Sequence, residues 1–319
     1  MTRPRWTRLT LRILAWVVTT ALVAWVFVTT DFSAFGDALK RADVAAFLGL
    51  AVTFNLAHLL LDAAGVGILL RKTGIGLPFG RLVAIRAASY LFGFVNYNLG
   101  LILIAAAAGK DRDTRWQTLV SPLLALNVFD LFILGIPLVA GLTVGGLPES
   151  PDAFSPLMIA GVGAILAPVV MVALSRSHLK PARFLSGLLD TFRALDARSL
   201  VLVLVLRAVL LFSDAAGDLL MLSTFNLAIP IDVFARFFPI DSFACVLPIT
   251  VAGIGPTLIL MRVFFAPFTP AASGSLAAID AFSVSATTSL VFIRTALALV
   301  CLPSLSGLLD GARKGRTQD

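Results

Sequence analysis

The sequence predicts an all-α polytopic membrane helix bundle made of two inverted repeats, each with three spans and a re-entrant hairpin. Three observations lead there. Hydrophobic residues fill 59% of the 319 positions, charged residues only 13%, and the mean hydropathy is +0.97. A soluble domain carries about 25% charged residues, so a surface this poor in charge belongs in lipid. Apolar runs long enough to cross a bilayer recur along the chain, separated by short loops of alternating charge. A short motif of the second span returns in the second half of the chain.

The predicted spans cover 9–30, 44–70, 117–146, 156–175, 200–227 and 276–302. The first follows Arg3, Arg5 and Arg8, yet its apolar core is too long for a signal peptide, and it is expected to be retained. Basic residues gather at the N-terminus, Arg71 to Arg81, Lys110 to Arg115, Arg176 to Arg198 and the tail. Asp31, Asp37, Asp43, Glu149, Asp152 and Asp232 occupy the opposite loops. The positive-inside rule puts the basic loops and both termini in the cytoplasm, the expected location being a bacterial inner membrane. The remaining apolar stretches, 82–108 and 233–268, each begin and end on one side and therefore read as re-entrant hairpins.

This order makes the second half the first half turned over: residues 1–150, then 156–303, with a cytoplasmic tail at 304–319. Asp62-Ala63-Ala64-Gly65 recurs as Asp214-Ala215-Ala216-Gly217, and Pro78 recurs as Pro230, both at an offset of 152. Inverted repeats with interrupted helices are a transporter architecture. Broken helices are tolerated in lipid only where protein or a wet cavity satisfies the freed backbone, so hairpin tips at mid-membrane imply a cavity. The first tip concentrates turn formers at Asn96-Tyr97-Asn98-Leu99-Gly100. The second has Pro248 and Pro256 as breakers, with Gly253 and Gly255 permitting a tight return. Helix N-termini after such turns favour an anionic group such as phosphate.

Intramembrane charges are functional candidates by default. Asp62 and Asp214 are expected as repeat-related cavity residues, with Arg86 and Arg236, early in the hairpins, as partners for phosphate or for those acids. Asn55, His58 and Asp62 share one helix face, and Asp214 and Asp218 stand one turn apart with Arg207 on their face. Two close carboxylates in low dielectric cannot both ionise easily. The candidate substrate-binding set is thus Asp62, Arg86, Asn96, Asn98, Asp214, Asp218, Arg236, Asp241, Gly253 and Gly255. The alternative is structural ion pairing between helices, the expected role of Asp130, Asp280 and Arg294. The run from His178 to Arg198, and a shorter one from Phe32 to Lys40, read as interfacial amphipathic helices.

The two cysteines, Cys245 and Cys301, and two histidines, His58 and His178, exclude a disulfide scaffold and any multi-cysteine metal site, and no cofactor is expected. The pI near 10.1 reflects basic residues flanking apolar runs, which points to topology and not to a nucleic-acid partner. No HExxH or GxSxG motif is present, and no enzyme is expected.

The segment from Leu247 to Met261 resembles the signature near the end of the transmembrane region of lysylphosphatidylglycerol synthases, which defines a wider flippase-like membrane family. Leu247, Pro248, Ile249, Thr250, Gly253, Ile254 and Gly255 fit it, with Ala252 where the family has glycine. Asp43-Val44, the Leu69 to Gly74 segment and the asparagine-rich turn at Asn96 to Gly100 resemble the family's first half. The acid expected after the second turn is replaced by Pro256, Thr257 and Leu258, and the glycine-acid-arginine run after the first by Leu101 to Ile104. The family's lysyl transferase is a separate soluble domain, which is not expected here, with 17 residues after position 302. The resemblance therefore implies lipid handling without aminoacylation. The expectation is an inner-membrane lipid translocase whose central polar cavity binds an anionic phospholipid or polyprenyl-phosphate headgroup, with a separate lipid-modifying enzyme as a conceivable partner. A proton- or ion-coupled solute transporter and a prenyl-diphosphate enzyme using Asp214 and Asp218 are the alternatives.

Overall fold

A computed structural model of the protein describes residues 32–95, 104–105, 116–145, 151–177, 183–246, 256–268 and 275–302. The first predicted span, both hairpin tips and the tail lie outside the described residues, and Asn96, Asn98, Gly253 and Gly255 with them. The described residues form helices and no strand: α1 (Phe32–Arg41), α2 (Val44–Lys72), α3 (Phe79–Val95), α4 (Trp116–Gly145), α5 (Pro151–Arg176), α6 (Arg183–Ala194), α7 (Ala197–Thr224), α8 (Ile231–Val246), α9 (Pro256–Phe265) and α10 (Ser275–Cys301). Five of them, α2, α4, α5, α7 and α10, are long and apolar enough to cross a membrane. They coincide with the second to sixth predicted spans. The largest differences have local causes. Asn226, in the left-handed region at φ 58°, closes α7 just after Thr224, and Pro151 opens α5 five residues early, a first-turn position that needs no N–H.

The spine of the molecule is α2 packed lengthwise on α7. They run antiparallel. At one end Asp43 caps α2 by accepting from Ala46 N (2.9 Å), and its own N–H donates to the Thr224 carbonyl at the end of α7 (2.9 Å). At the other end Lys72 Nζ meets Asp196 Oδ1 at 2.9 Å, just before α7 begins. Ser199 first, and Lys72 after it, hold the Asp196 carboxyl down at about 2. The repeated glycines lie where these two helices cross. A Cβ on Gly217 would sit 2.7 Å from the Phe54 ring, and one on Gly65 would touch Arg207 Cδ at 3.7 Å. Small residues at such positions let membrane helices approach closely.

Around this spine the pairings are reciprocal. The first-half helix α4 packs on α7 and α8, and the second-half helix α10 packs on α2 and α3. α3 and α8 both start directly after a proline, with Leu82 N donating to Pro78 O (3.1 Å) and Phe234 N to Pro230 O (3.0 Å). α8 and α9 pack against each other.

Two large apolar clusters and a small one of Leu59, Ala87 and Tyr90 form the core among the described residues. One joins Leu69, Leu70, Ile85, Leu123, Phe129, Phe192 and Val203. The other joins Phe47, Phe225, Phe237, Phe265 and Phe282, with Phe47 edge-on to Phe225 at 5.4 Å and Phe225 edge-on to Phe282 at 5.6 Å. Phe47 and Leu69 stand near opposite ends of α2, so the clusters close its two ends and leave its middle between them. One expectation changes here. The apolar stripe of α6 is buried against α4 and α5, through Leu188, Leu189 and Phe192, so this amphipathic helix covers protein and not lipid. α1 likewise packs against α10.

Candidate functional site

Between the two apolar clusters lies a cavity of about 420 Å³, walled by α2, α3, α4, α7, α8, α9 and α10. Its polar lining comes from the middles of the spans: His58 and Asp62 on α2, Asp130 on α4, Asp214 on α7 and Arg294 on α10. A polar chamber at that depth is where lipid would otherwise charge several kcal/mol for each ionised group.

One wall is a closed chain of charges. Arg86 Nε donates to Asp62 Oδ2, and Arg207 Nη1 donates to Asp62 Oδ1. The same Arg207 engages Asp130 through Nε and Nη2, one on each carboxylate oxygen. Arg86 also reaches Ser89 Oγ at 3.2 Å. Four helices, α2, α3, α4 and α7, meet in this knot. Asp62 is 3% and Arg207 5% exposed, so each buried charge is matched by an opposite one, the condition for holding charge in low dielectric.

The facing wall is different. His58 Nδ1 lies 3.1 and 2.9 Å from the two oxygens of Asp214, linking α2 to α7 across the halves. Asp218 is one turn further along α7 and lines the cavity, as does Asp241 of α8. Thr257 hydrogen-bonds the Asp241 carboxyl, and Asp241 Oδ1 is shut off from solvent without a partner among the described residues. Arg294 Nε donates to Asn55 Oδ1 at 3.1 Å, and its guanidinium lies 4.8 Å from the centre of the Tyr90 ring. Arg86 flanks the same ring at 5.4 Å.

The structure thus brings together Asp62, Arg86, Asp214, Asp218 and Asp241 from the residues singled out in the sequence. Arg236 is placed elsewhere. Its Nη2 donates to Asp232 Oδ2 at 3.1 Å, one turn back on α8, and it is not part of the cavity wall. Asp280 is in a buried two-pronged pair with Arg262 (both contacts 2.7 Å) that ties α9 to α10. Asp130 and Arg294, expected as structural, both line the cavity. Arg207 faces Asp62 and Asp130, not the Asp214 that shares its helix face. The pairing of His58 with Asp214 spans 156 residues of sequence. Its one local signal is the shared face of Asn55, His58 and Asp62.

Among families of known proteins, the one described as the lysylphosphatidylglycerol synthase TM region matches residues 12–291. The chain belongs to this family. Membership agrees with the five apolar spans and makes the chain an integral, multi-pass membrane protein. The match takes in every cavity-lining residue from Ala51 to Leu290 and stops just short of Arg294. No curated protein and no solved structure matches the chain.

Proposed function

We propose that this family member is a lipid translocase whose cavity admits a headgroup carrying both a phosphate and an ammonium, while the acyl chains stay in the bilayer. The observation that carries the reading is the charged chamber halfway along the spans, closed toward both ends of α2 by apolar clusters. Its volume is within the range of small-ligand sites, roughly 300–1,000 Å³, ample for a headgroup and too small for two acyl chains besides. Alternation between two similar halves would open it to one side and then the other.

The lining also refines the cargo. Among the described residues it holds five aspartates and three arginines, an excess of two carboxylates. Two of the arginines are already bound by Asp62 and Asp130. Arg294, in no ion pair among the described residues, is the guanidinium left for a phosphate. Asp214, Asp218 and Asp241 favour positive charge opposite it. A purely anionic headgroup, the expectation from the hairpin turns, would meet more repulsion than attraction here.

The test is movement of tail-labelled lipids in proteoliposomes, scored by protection from a membrane-impermeant quencher. Tail-labelled phosphatidylethanolamine should redistribute faster than phosphatidylglycerol or a polyprenyl phosphate. Arg294→Gln should slow it about tenfold, the worth of one charge-assisted hydrogen bond. Folded protein that accelerates no lipid overturns the reading, and counterflow of a water-soluble amine would replace it with solute transport.

A further inference from the structure

We infer that Asp214, Asp218 and Asp241, with His58, form a proton site for which a cationic headgroup competes, so that the chain exchanges lipid for protons. This deepens the reading above and rests on it.

The argument starts from which acids have partners. Asp62 and Asp130 are saturated by Arg86 and Arg207, and Asp280 by Arg262. A carboxylate bridged by guanidinium has no reason to bind a proton or an amine. Asp214, Asp218 and Asp241 form no ion pair with an arginine among the described residues. Asp214 and Asp218 are four residues apart and share a face of α7. Three carboxylates around one chamber repel one another unless a cation sits among them. Every element walling the cavity has been counted in this balance. α2 contributes His58 and Asp62, α3 Arg86 and Tyr90, α4 Asp130, α7 Arg207, Asp214 and Asp218, α8 Asp241, and α10 Arg294, while α9 contributes the neutral Thr257. After the knot is set aside, one guanidinium faces three carboxylates.

Two further observations indicate what the missing cation is. Asp241 Oδ1 is enclosed and accepts no hydrogen bond, so an N–H or O–H donor is wanted at that atom. Among the described residues no group of His, Cys, Asp or Glu stands in metal-holding geometry. A hydrogen-bonding cation therefore fits, either a proton on the carboxyl or an ammonium among the three. His58 Nδ1 faces both oxygens of Asp214, so a hydrogen on that nitrogen satisfies this carboxylate from α2. The exchange balances: an ammonium enters among the carboxylates as one carboxyl gives its proton to water on that side, so the aspartate cluster keeps its charge, while the phosphate that enters with the ammonium offsets the charge of Arg294.

Two experiments test this on the full chain. In weakly buffered detergent solution near pH 6, binding of dihexanoyl phosphatidylethanolamine, followed by calorimetry, should release about one proton per lipid. Dihexanoyl phosphatidic acid should release none. Binding without proton release overturns the proton site and leaves the translocase standing. In proteoliposomes a pH gradient should drive tail-labelled phosphatidylethanolamine into the more acidic leaflet's side, and nigericin should abolish that asymmetry. Asp218→Asn should lose the response to the gradient. Asp241→Asn is the second variant, should the first not fold. Lipid movement indifferent to the gradient in the wild type overturns the coupling. Absence of any lipid movement overturns the translocase reading itself.

Discussion

At the scale of single residues, Arg207 does the most. Its guanidinium spans two aspartates on two other helices, which a compact ammonium cannot imitate. Replacing it leaves Asp62 and Asp130 as under-compensated buried charges, and breaking a buried pair from one side costs about 3–5 kcal/mol. Arg207→Gln should therefore lower the thermal unfolding temperature in detergent sharply, and Arg207→Lys should recover only part of it. An Arg207→Gln protein as stable as the wild type would mean the knot is not held as described. Asp62, Asp214, Asp218 and Asp241 were legible in the sequence because ionised groups in apolar runs are rare enough to be conspicuous. Their partners were not. Which arginine meets which acid depends on contacts such as Arg207 to Asp62, 145 residues apart, and helical spacing alone points Arg207 at Asp214, about two turns further along the same helix.

At the scale of elements, spans two to six were readable to within about five residues at their ends, since length and hydropathy decide a membrane crossing. What composition hid was the partner of the amphipathic α6. An apolar stripe with basic flanks fits a lipid surface and a protein groove equally well, and here α4 and α5 cover it. Packing between α4 and α5 is likewise invisible in sequence. It depends on Gly135, where a Cβ would lie 2.8 Å from the Gly161 carbonyl oxygen. Backbone cannot yield as a side-chain tip does, so Gly135→Ala should destabilise by about 1–3 kcal/mol, the usual cost of overpacking. Gly163, on the same helix as Gly161, has nothing within 4 Å of its Cβ position. Gly163→Ala should be neutral or slightly stabilising, and a pair of melting curves checks both. Equal effects would place the close contact elsewhere.

At the scale of the whole molecule, the charge pattern of the loops sets an orientation that the fold can be asked to obey. The N-terminus, Arg71 to Arg81, Arg176 to Arg198 and the C-terminus should share the cytoplasmic side. A green fluorescent protein fused to the C-terminus should glow and an alkaline phosphatase fused there should be inactive; the reverse pattern would invert the molecule. The Lys72–Asp196 contact is consistent with this reading, since it joins two of those basic segments. Lengthwise packing of α2 on α7 is flanked by the pairing of α4 with α8 and of α10 with α3. The glycines of the motif that recurs at an offset of 152 lie in the contact between α2 and α7, where a small side chain lets the helices approach closely. The knot of Arg86, Asp62, Arg207 and Asp130 has one more consequence. It concentrates the load of holding four helices in one wall and leaves the opposite wall free to vary. On the translocase reading, substitutions at 214, 218, 241 and 294 should change which headgroup is taken while leaving the scaffold of the knot in place.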